Sequence, residues 1–264
     1  MRAVDALRGR CLIDLHSHIL PAIDDGAPDV ATALEMAGGF VADGVTPVAG
    51  PPHNIPRVFA NRGPDIQARV VALQAEFYAR SIPLTLLAGA DIHVVPGLVR
   101  GLASGELLTL GDSRYVLIEP PHHVAPPRLE SVFFDLLVAG YVPILTHPER
   151  LTWLGSQYRL VGQLVASGVW MQLTAGSLTG AFGRGAQQLA ERMLDEGLVH
   201  LIATDAHDAK RRPPNLRRGV ECAAKQVGGA AGLAMGFTRH WRCCRIPRPA
   251  LCLWLVLGYE TKIS

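Results

Sequence analysis

Two short stretches, His16-Ser17-His18 and Asp205-Ala206-His207, each place two donor side chains two residues apart. On an extended strand that spacing points both donors to the same side. Each pair follows an apolar run, Cys11–Leu15 for the first and Leu198–Ala203 for the second. Further donors recur where other apolar runs end: Asp24 and Asp25 after the first histidine pair, then His53, Asp91, Glu119 and His147. Imidazole and carboxylate together suit manganese, iron, zinc or cobalt. The set exceeds what one ion requires, so two or three ions sharing carboxylates are expected. Clustered divalent ions lower the pKa of bound water and clamp phosphate oxygens, which is the chemistry of phosphoester hydrolysis. Arg150, just past His147, and Arg212, just past His207, have the planar forks that hold phosphoryl oxygens.

Such donors converge only if several strand ends are brought to one place. Strands are predicted at Cys11–Leu15, Thr46–Gly50, Thr85–Ala90, Val116–Glu119, Val142–Thr146, Trp170–Leu173 and Leu198–Thr204. Helix-period segments lie between them. The first begins after Asp29 as N-cap, turns Val30, Leu34, Ala37 and Val41 to one face, and ends near Gly44. Others carry Ile66, Val70, Leu73 and Phe77; then Leu129, Val132, Phe133 and Leu136 before Gly140; then Leu189, Met193 and Leu194 before Gly197. Repeated βα units with polar residues at strand after strand suit a closed parallel barrel, whose chemistry sits at strand ends. An open doubly wound sheet is the structural rival, but no glycine-rich nucleotide fingerprint follows the first strand.

The stretches Ile13-Asp14-Leu15-His16-Ser17-His18-Ile19-Leu20-Pro21, Asp24-Asp25-Gly26, Asp112-Ser113-Arg114-Tyr115, Leu117-Ile118-Glu119, Thr146-His147-Pro148-Glu149-Arg150 and Thr204-Asp205-Ala206-His207, with Arg212-Pro213-Pro214 beyond, carry a resemblance. Together they resemble the bacterial protein-tyrosine phosphatases of the PHP (polymerase and histidinol phosphatase) type, associated with capsule and exopolysaccharide synthesis. The resemblance runs from about Leu12 to Ala224. It implies a single-domain α/β fold, a distorted TIM-like (β/α)7 barrel. It also implies a multi-metal centre, manganese first among the ions, that removes phosphate from tyrosines of a partner bacterial tyrosine kinase. By position in the motifs, the metal ligands would be His16, His18, Asp25, His53, Asp91, Glu119, His147, Asp205 and His207, with Arg150 and Arg212 holding phosphate. Asp24 is left as a turn residue, Glu149 as a supporting carboxylate, and His93, His122 and His123 as loop histidines.

Two positions depart from the family pattern. Asp91 stands where a glutamate that bridges ions is usual, and its carboxylate stops about 1.3 Å short where ligand distances are good to ~0.2 Å. Pro51-Pro52-His53 replaces the usual threonine ahead of Pro-His, which bears on the loop more than on the chemistry.

Composition narrows the class further. With 49% hydrophobic and 18% charged residues over 264 positions, the chain reads as an ordinary globular enzyme. From Gly236 onward there are five basic residues and one acid, which leaves 20 basic against 22 acidic in the body. No general field favours nucleic acid, which weighs against a nuclease. The five cysteines form no C-x-x-C pair. Met1–Arg10 lacks a signal-peptide stretch, and the longest apolar run of the tail, Ala250–Gly258, is short of the ~20 residues that span a bilayer. A cytoplasmic protein without a transmembrane segment is expected. Residues 1–235 are assigned to the barrel and 236–264 to a basic, apolar tail. That tail is either the product of a reading-frame change or a segment that touches membrane or a partner. The rivals to tyrosine phosphatase activity are a small-molecule phosphatase, such as one acting on histidinol phosphate, and an inactive barrel that binds a kinase or its phosphotyrosines.

Overall fold

A computed structural model describes residues 11–238. The expectations for the N-terminal ten residues and for the tail from Arg239 onward lie outside the described residues, and the boundary at 235/236 falls within a short π-turn, Ala234–Thr238. The strands are β1 (Leu12–Asp14), β2 (Val45–Ala49), β3 (His53–Asn54), β4 (Thr85–Leu87), β5 (Asp91–His93), β6 (Tyr115–Glu119), β7 (Val142–Thr146), β8 (Trp170–Thr174) and β9 (Leu201–Ala203). The helices are α1 (Val30–Ala42), α2 (Gly63–Ala79), α3 (Leu98–Ala103), α4 (Leu129–Val138), α5 (Arg159–Ser167), α6 (Ala175–Leu178), α7 (Gly183–Asp195), α8 (Leu216–Val227) and α9 (Gly229–Leu233).

Every strand pairing is parallel. Strands β1-β2-β4 form one sheet and β3-β5-β6-β7-β8-β9 the other. Two staves consist of two short strands each. Residues Gly50-Pro51-Pro52 separate β2 from β3, because proline has no N–H to donate to a ladder. The predicted strand Thr85–Ala90 stops at Leu87 and restarts at Asp91, so Asp91 opens β5 instead of following a strand end. Counted as one stave each, β2/β3 and β4/β5 restore a sequential barrel of seven staves. The ring closes where Ser17 bridges Ala206 in parallel. There the His18 amide donates to the Ala206 carbonyl at 2.8 Å and the Asp205 amide to the His16 carbonyl at 2.8 Å. Both donor motifs therefore sit on the closing seam.

Two apolar layers hold the barrel. Ile13, Leu15, Leu117, Ile144 and Leu201 fill its interior. Leu12, Val116, Ile118, Leu145 and Ile202 face outward against helices carrying Phe40, Phe77 and Phe133. Strand alternation then dictates what comes next: Tyr115 and Leu117 point inward on β6, so Glu119 does too, at the C-terminal mouth.

The helices answer the sequence in part. Asp29 caps α1, its carboxylate accepting from the Thr32 amide at 2.8 Å. The buried face of α1 is Ala33, Met36, Ala37 and Phe40, rotated from the predicted one, and Val30 is exposed. Apolar residues surround that helix almost completely, so periodicity alone does not choose a face and the largest side chain, Phe40, takes the core. Helices α3, α5, α6, α8 and α9 have no counterpart in the sequence reading. Among the described residues no helix is long and apolar enough to cross a membrane.

Candidate metal centre

The mouth of the barrel gathers side chains from nearly every stave. His16 and His18 project from the segment leaving β1, and each has its Nδ1 tied to an acceptor. His16 Nδ1 lies 2.8 Å from Gln172 Oε1 on β8, and His18 Nδ1 lies 2.7 Å from Asp24 Oδ2. With Nδ1 committed in this way, both Nε2 atoms face the same space, 3.2 Å apart. An imidazole held through one nitrogen so that the other points at a common centre is the arrangement metal sites use. Asp91 Oδ2 lies 3.5 Å from His16 Nε2, and Asp205 Oδ1 lies 3.6 Å from His16 Nε2 and 3.3 Å from His18 Nε2.

Around this point lie three further donor groups. In one, His53 Nε2 and His207 Nε2 stand 3.4 and 3.5 Å from Asp25 Oδ1. In the second, His53 Nδ1 faces Asp91 Oδ2 at 3.3 Å and Glu119 Oε2 at 3.1 Å. In the third, His147 Nε2 is 3.4 Å from Glu119 Oε1. Within each group the donor atoms lie within 4.8 Å of one another. All nine side chains anticipated as ligands are therefore brought together.

Chemistry of the set fits divalent cations. Asp91 is fully buried, yet neither of its carboxylate oxygens has a hydrogen-bond partner, nor does His147 Nδ1. A buried carboxylate without partners is costly unless a cation faces it. The imidazoles register the same demand. Burial opposes a charge on His16, but Asp91 and Asp205 outweigh it and push its pKa up to about 9. Burial likewise opposes a charge on His53, and the facing carboxylates of Asp91 and Glu119 push it up to about 11. His207 moves the other way, to about 4, under burial and the neighbouring His18. Burial works against ionised Asp205, yet His16, His18 and Arg212 hold its carboxyl well below the usual range.

Strain marks the same place. His147 has φ of 33° and Asp205 φ of 51°, the left-handed region that side chains with a Cβ avoid. Pro148, directly after His147, fixes the turn that carries Arg150. Glu149 is buried beside it, accepting from the Thr174 amide at 2.8 Å and from Ser177 Oγ at 2.7 Å.

Both arginines reach Asp205. Arg150 and Arg212 each donate to Asp205 Oδ2, the oxygen opposite the one that faces His16 and His18. Phe182 lies beneath them, with the Arg150 guanidinium 4.2 Å from its ring centre and that of Arg212 5.6 Å away. A cleft of about 500 Å³ opens beside Arg150, lined among others by His122, Leu151, Thr152, Phe182 and Leu189.

Four contributors escaped the sequence reading. Asp24 is not merely a turn residue, since it also accepts from the His53 amide at 3.0 Å. Gln172 was detectable as a polar residue inside an apolar strand. Phe182 carried no local signal. His122, set aside as a loop histidine, lies 3.2 Å from Glu119 Oε1.

The chain matches the family model described as capsular polysaccharide synthesis, CpsB/CapC, over residues 12–236. It is 35% identical to the tyrosine-protein phosphatase YwqE of Bacillus subtilis, over 82% of this chain and 85% of that protein. It is 27% identical to the tyrosine-protein phosphatase CpsB of Streptococcus pneumoniae, over 82% of this chain and 91% of that protein. In three dimensions it superposes on a crystal structure from work describing YwqE and CpsB as unique metal-dependent tyrosine phosphatases. The TM-score is 0.84 at 33% identity, covering 90% of this chain and 97% of that one. A histidinol phosphate phosphatase from Lactococcus lactis shares the fold at 14% identity and a TM-score of 0.51. On a family match spanning nearly all of its described residues, this chain belongs to the CpsB/CapC family of capsular polysaccharide synthesis proteins.

Proposed function

We propose that this protein is a metal-dependent protein-tyrosine phosphatase. His16, His18, Asp25, His53, Asp91, Glu119, His147, Asp205 and His207 hold its cations, and Arg150 and Arg212 hold the phosphate. The observation that carries this reading is the double role of Asp205, one oxygen toward the imidazole cluster and the other toward both guanidiniums. That carboxylate sets phosphate-binding forks directly against a multi-donor cation site. Divalent cations held there would activate water and offset phosphoryl charge.

The chain's own groups do the rest. A phosphoryl group entering between the arginines and the donor cluster competes with Asp205 Oδ2 for the guanidinium N–H groups. Their forks match non-bridging oxygens. The side chains of Arg150 and Arg212 are 15% and 29% exposed, so their charge is only partly screened as negative charge builds on the phosphoryl oxygens. Phe182 supports both guanidiniums and keeps the forks from swinging. Tyrosine leaves with a pKa near 10, so departure needs no strong general acid. The cleft beside Arg150, with Phe182 and Leu189 in its wall, offers apolar surface to an aromatic leaving group.

The mixed imidazole and carboxylate donors support Mn²⁺, with iron, zinc or cobalt as alternatives. Relatives named for tyrosine-protein phosphatase activity support a phosphotyrosine protein as substrate, and the partner that the sequence resemblance implies is a bacterial tyrosine kinase. Free Cys11 and Cys222 support a reducing cytoplasm. The test is hydrolysis of a phosphotyrosine peptide beside histidinol phosphate, with added Mn²⁺ and with chelator. Expected is Mn²⁺-dependent release of phosphate from the peptide, lost in chelator. Preference for histidinol phosphate overturns the substrate, and turnover unaffected by chelator overturns the mechanism.

A further inference from the structure

His122 is not among the nine proposed ligands, yet its position is a built one. It stands three residues past Glu119, with its Nε2 3.2 Å from Glu119 Oε1 and its ring centre 4.9 Å from that of His147. Donor atoms of Glu119, His122 and His147 all lie within 4.8 Å of one another. Its loop is stiffened by Pro120 and Pro121 and anchored to the segment that follows His147. The His122 carbonyl accepts from the Thr152 amide at 2.9 Å and from Thr152 Oγ1 at 3.1 Å, and Trp153 Nε1 donates to the Pro121 carbonyl at 2.9 Å. The backbone that presents His122 and the backbone that presents His147 are thus fastened together.

Asp91 supplies the second, independent observation. It is fully buried, and neither oxygen has a hydrogen-bond partner. Its Oδ2 faces His16 and His53 at 3.5 and 3.3 Å, and the cluster formed by Glu119 and His147 does not include it. Asp91 shares a donor group with His53 and Glu119, and no group joins it to His147. Glu119 and His147 alone offer fewer donors than a tetrahedral or octahedral ion takes.

We propose that His122 Nε2 is a direct ligand of the cation held by Glu119 and His147, supplying the donor that Asp91 is too short to provide. This rests on the metal-centre reading given under Proposed function. The full chain, loaded with Mn²⁺ and desalted, is assayed for bound metal by mass spectrometry and titrated with Mn²⁺ by calorimetry. His122→Ala is expected to lose one equivalent, or to bind it about 10-fold or more weakly, while the remaining equivalents are unchanged. His122→Gln, which keeps a hydrogen bond to Glu119, is expected to behave the same way. Asp91→Glu in the His122→Ala background is expected to restore the missing equivalent, which a merely structural histidine would not produce. Circular dichroism confirms folding of each variant. Unchanged stoichiometry and affinity in both His122 variants overturn this assignment alone. A wild-type chain that takes up no divalent ion overturns the metal-centre reading and this assignment with it.

Discussion

At the scale of single residues, orientation matters as much as donor identity. His16 is useful to a cation because Gln172 holds its Nδ1 at 2.8 Å and leaves Nε2 free. Gln172→Leu removes that partner without touching a ligand, and Mn²⁺ affinity is expected to fall about 10- to 100-fold in calorimetric titration. Arg150→Ala and Arg212→Ala are each expected to lower kcat/KM for a phosphotyrosine peptide about 10²- to 10³-fold. Arg150→Lys is expected to recover little, because an ammonium lacks the planar fork and the stacking on Phe182. Proton linkage follows from the same residues. Carboxylates raise His16 to about 9 and His53 to about 11, so at neutral pH both imidazoles hold protons that an arriving cation must displace. Mn²⁺ affinity should therefore rise with pH, by roughly tenfold or more per unit, most steeply below about 9 where both imidazoles are protonated and less steeply from there to about 11. Titrations in buffers of different ionisation enthalpy should report the released protons.

At the scale of elements, short connections do the positioning. The turn after His18 is closed by Gly26, where a Cβ would stand 2.2 Å from the His18 carbonyl oxygen and 2.4 Å from the His18 Cβ. The Gly26 amide also donates to Asp24 Oδ1 at 2.9 Å, so the residue that orients His18 depends on this approach. Gly26→Ala has no flexible side-chain end to displace, only the backbone and Cβ of His18. It is expected to uncouple Asp24 from His18 and to cut Mn²⁺ affinity and turnover together, while Gly155→Ala, with open space around its Cβ, leaves both near wild type. Activity in the Gly26 variant equal to wild type would show that the turn does not position His18.

For the molecule as a whole, the donor cluster and the barrel seam coincide. Ser17 bridges Ala206 between two proposed ligand pairs, so cations held at the mouth would tie β1 to β9 as well as to β5 and β6. Ligand-free protein should consequently be less stable. At a Mn²⁺ concentration about 100 times its Kd, binding adds ~2.7 kcal/mol per site, and scanning calorimetry with and without chelator measures it. The distant core sets the opposite control. Phe133, buried in the core on α4, is not one of the donor side chains, and Phe133→Ala should cost ~3–5 kcal/mol of stability while leaving metal stoichiometry unchanged in the folded fraction.

Much of this was legible from residue order. The apolar runs before His16, Glu119, His147 and Asp205 announced strands, and the capping and terminal residues Asp29 and Gly140 announced helices, because these signals depend on neighbours along the chain. Donor identity was equally local: His-x-His and Asp-x-His name their own chemistry. What the tertiary structure decided are relations between remote segments. The break at Ala88–Ala90 comes from β4 and β5 pairing with different sheets. The face that α1 buries follows from which side chain fits the barrel wall. The grip of Gln172 on His16 spans 156 positions, and the approach of His122 to His147 depends on a loop pinned by Thr152. Periodicity reports how a segment meets an average interior, whereas distances across a closed barrel exist only once the ring has closed.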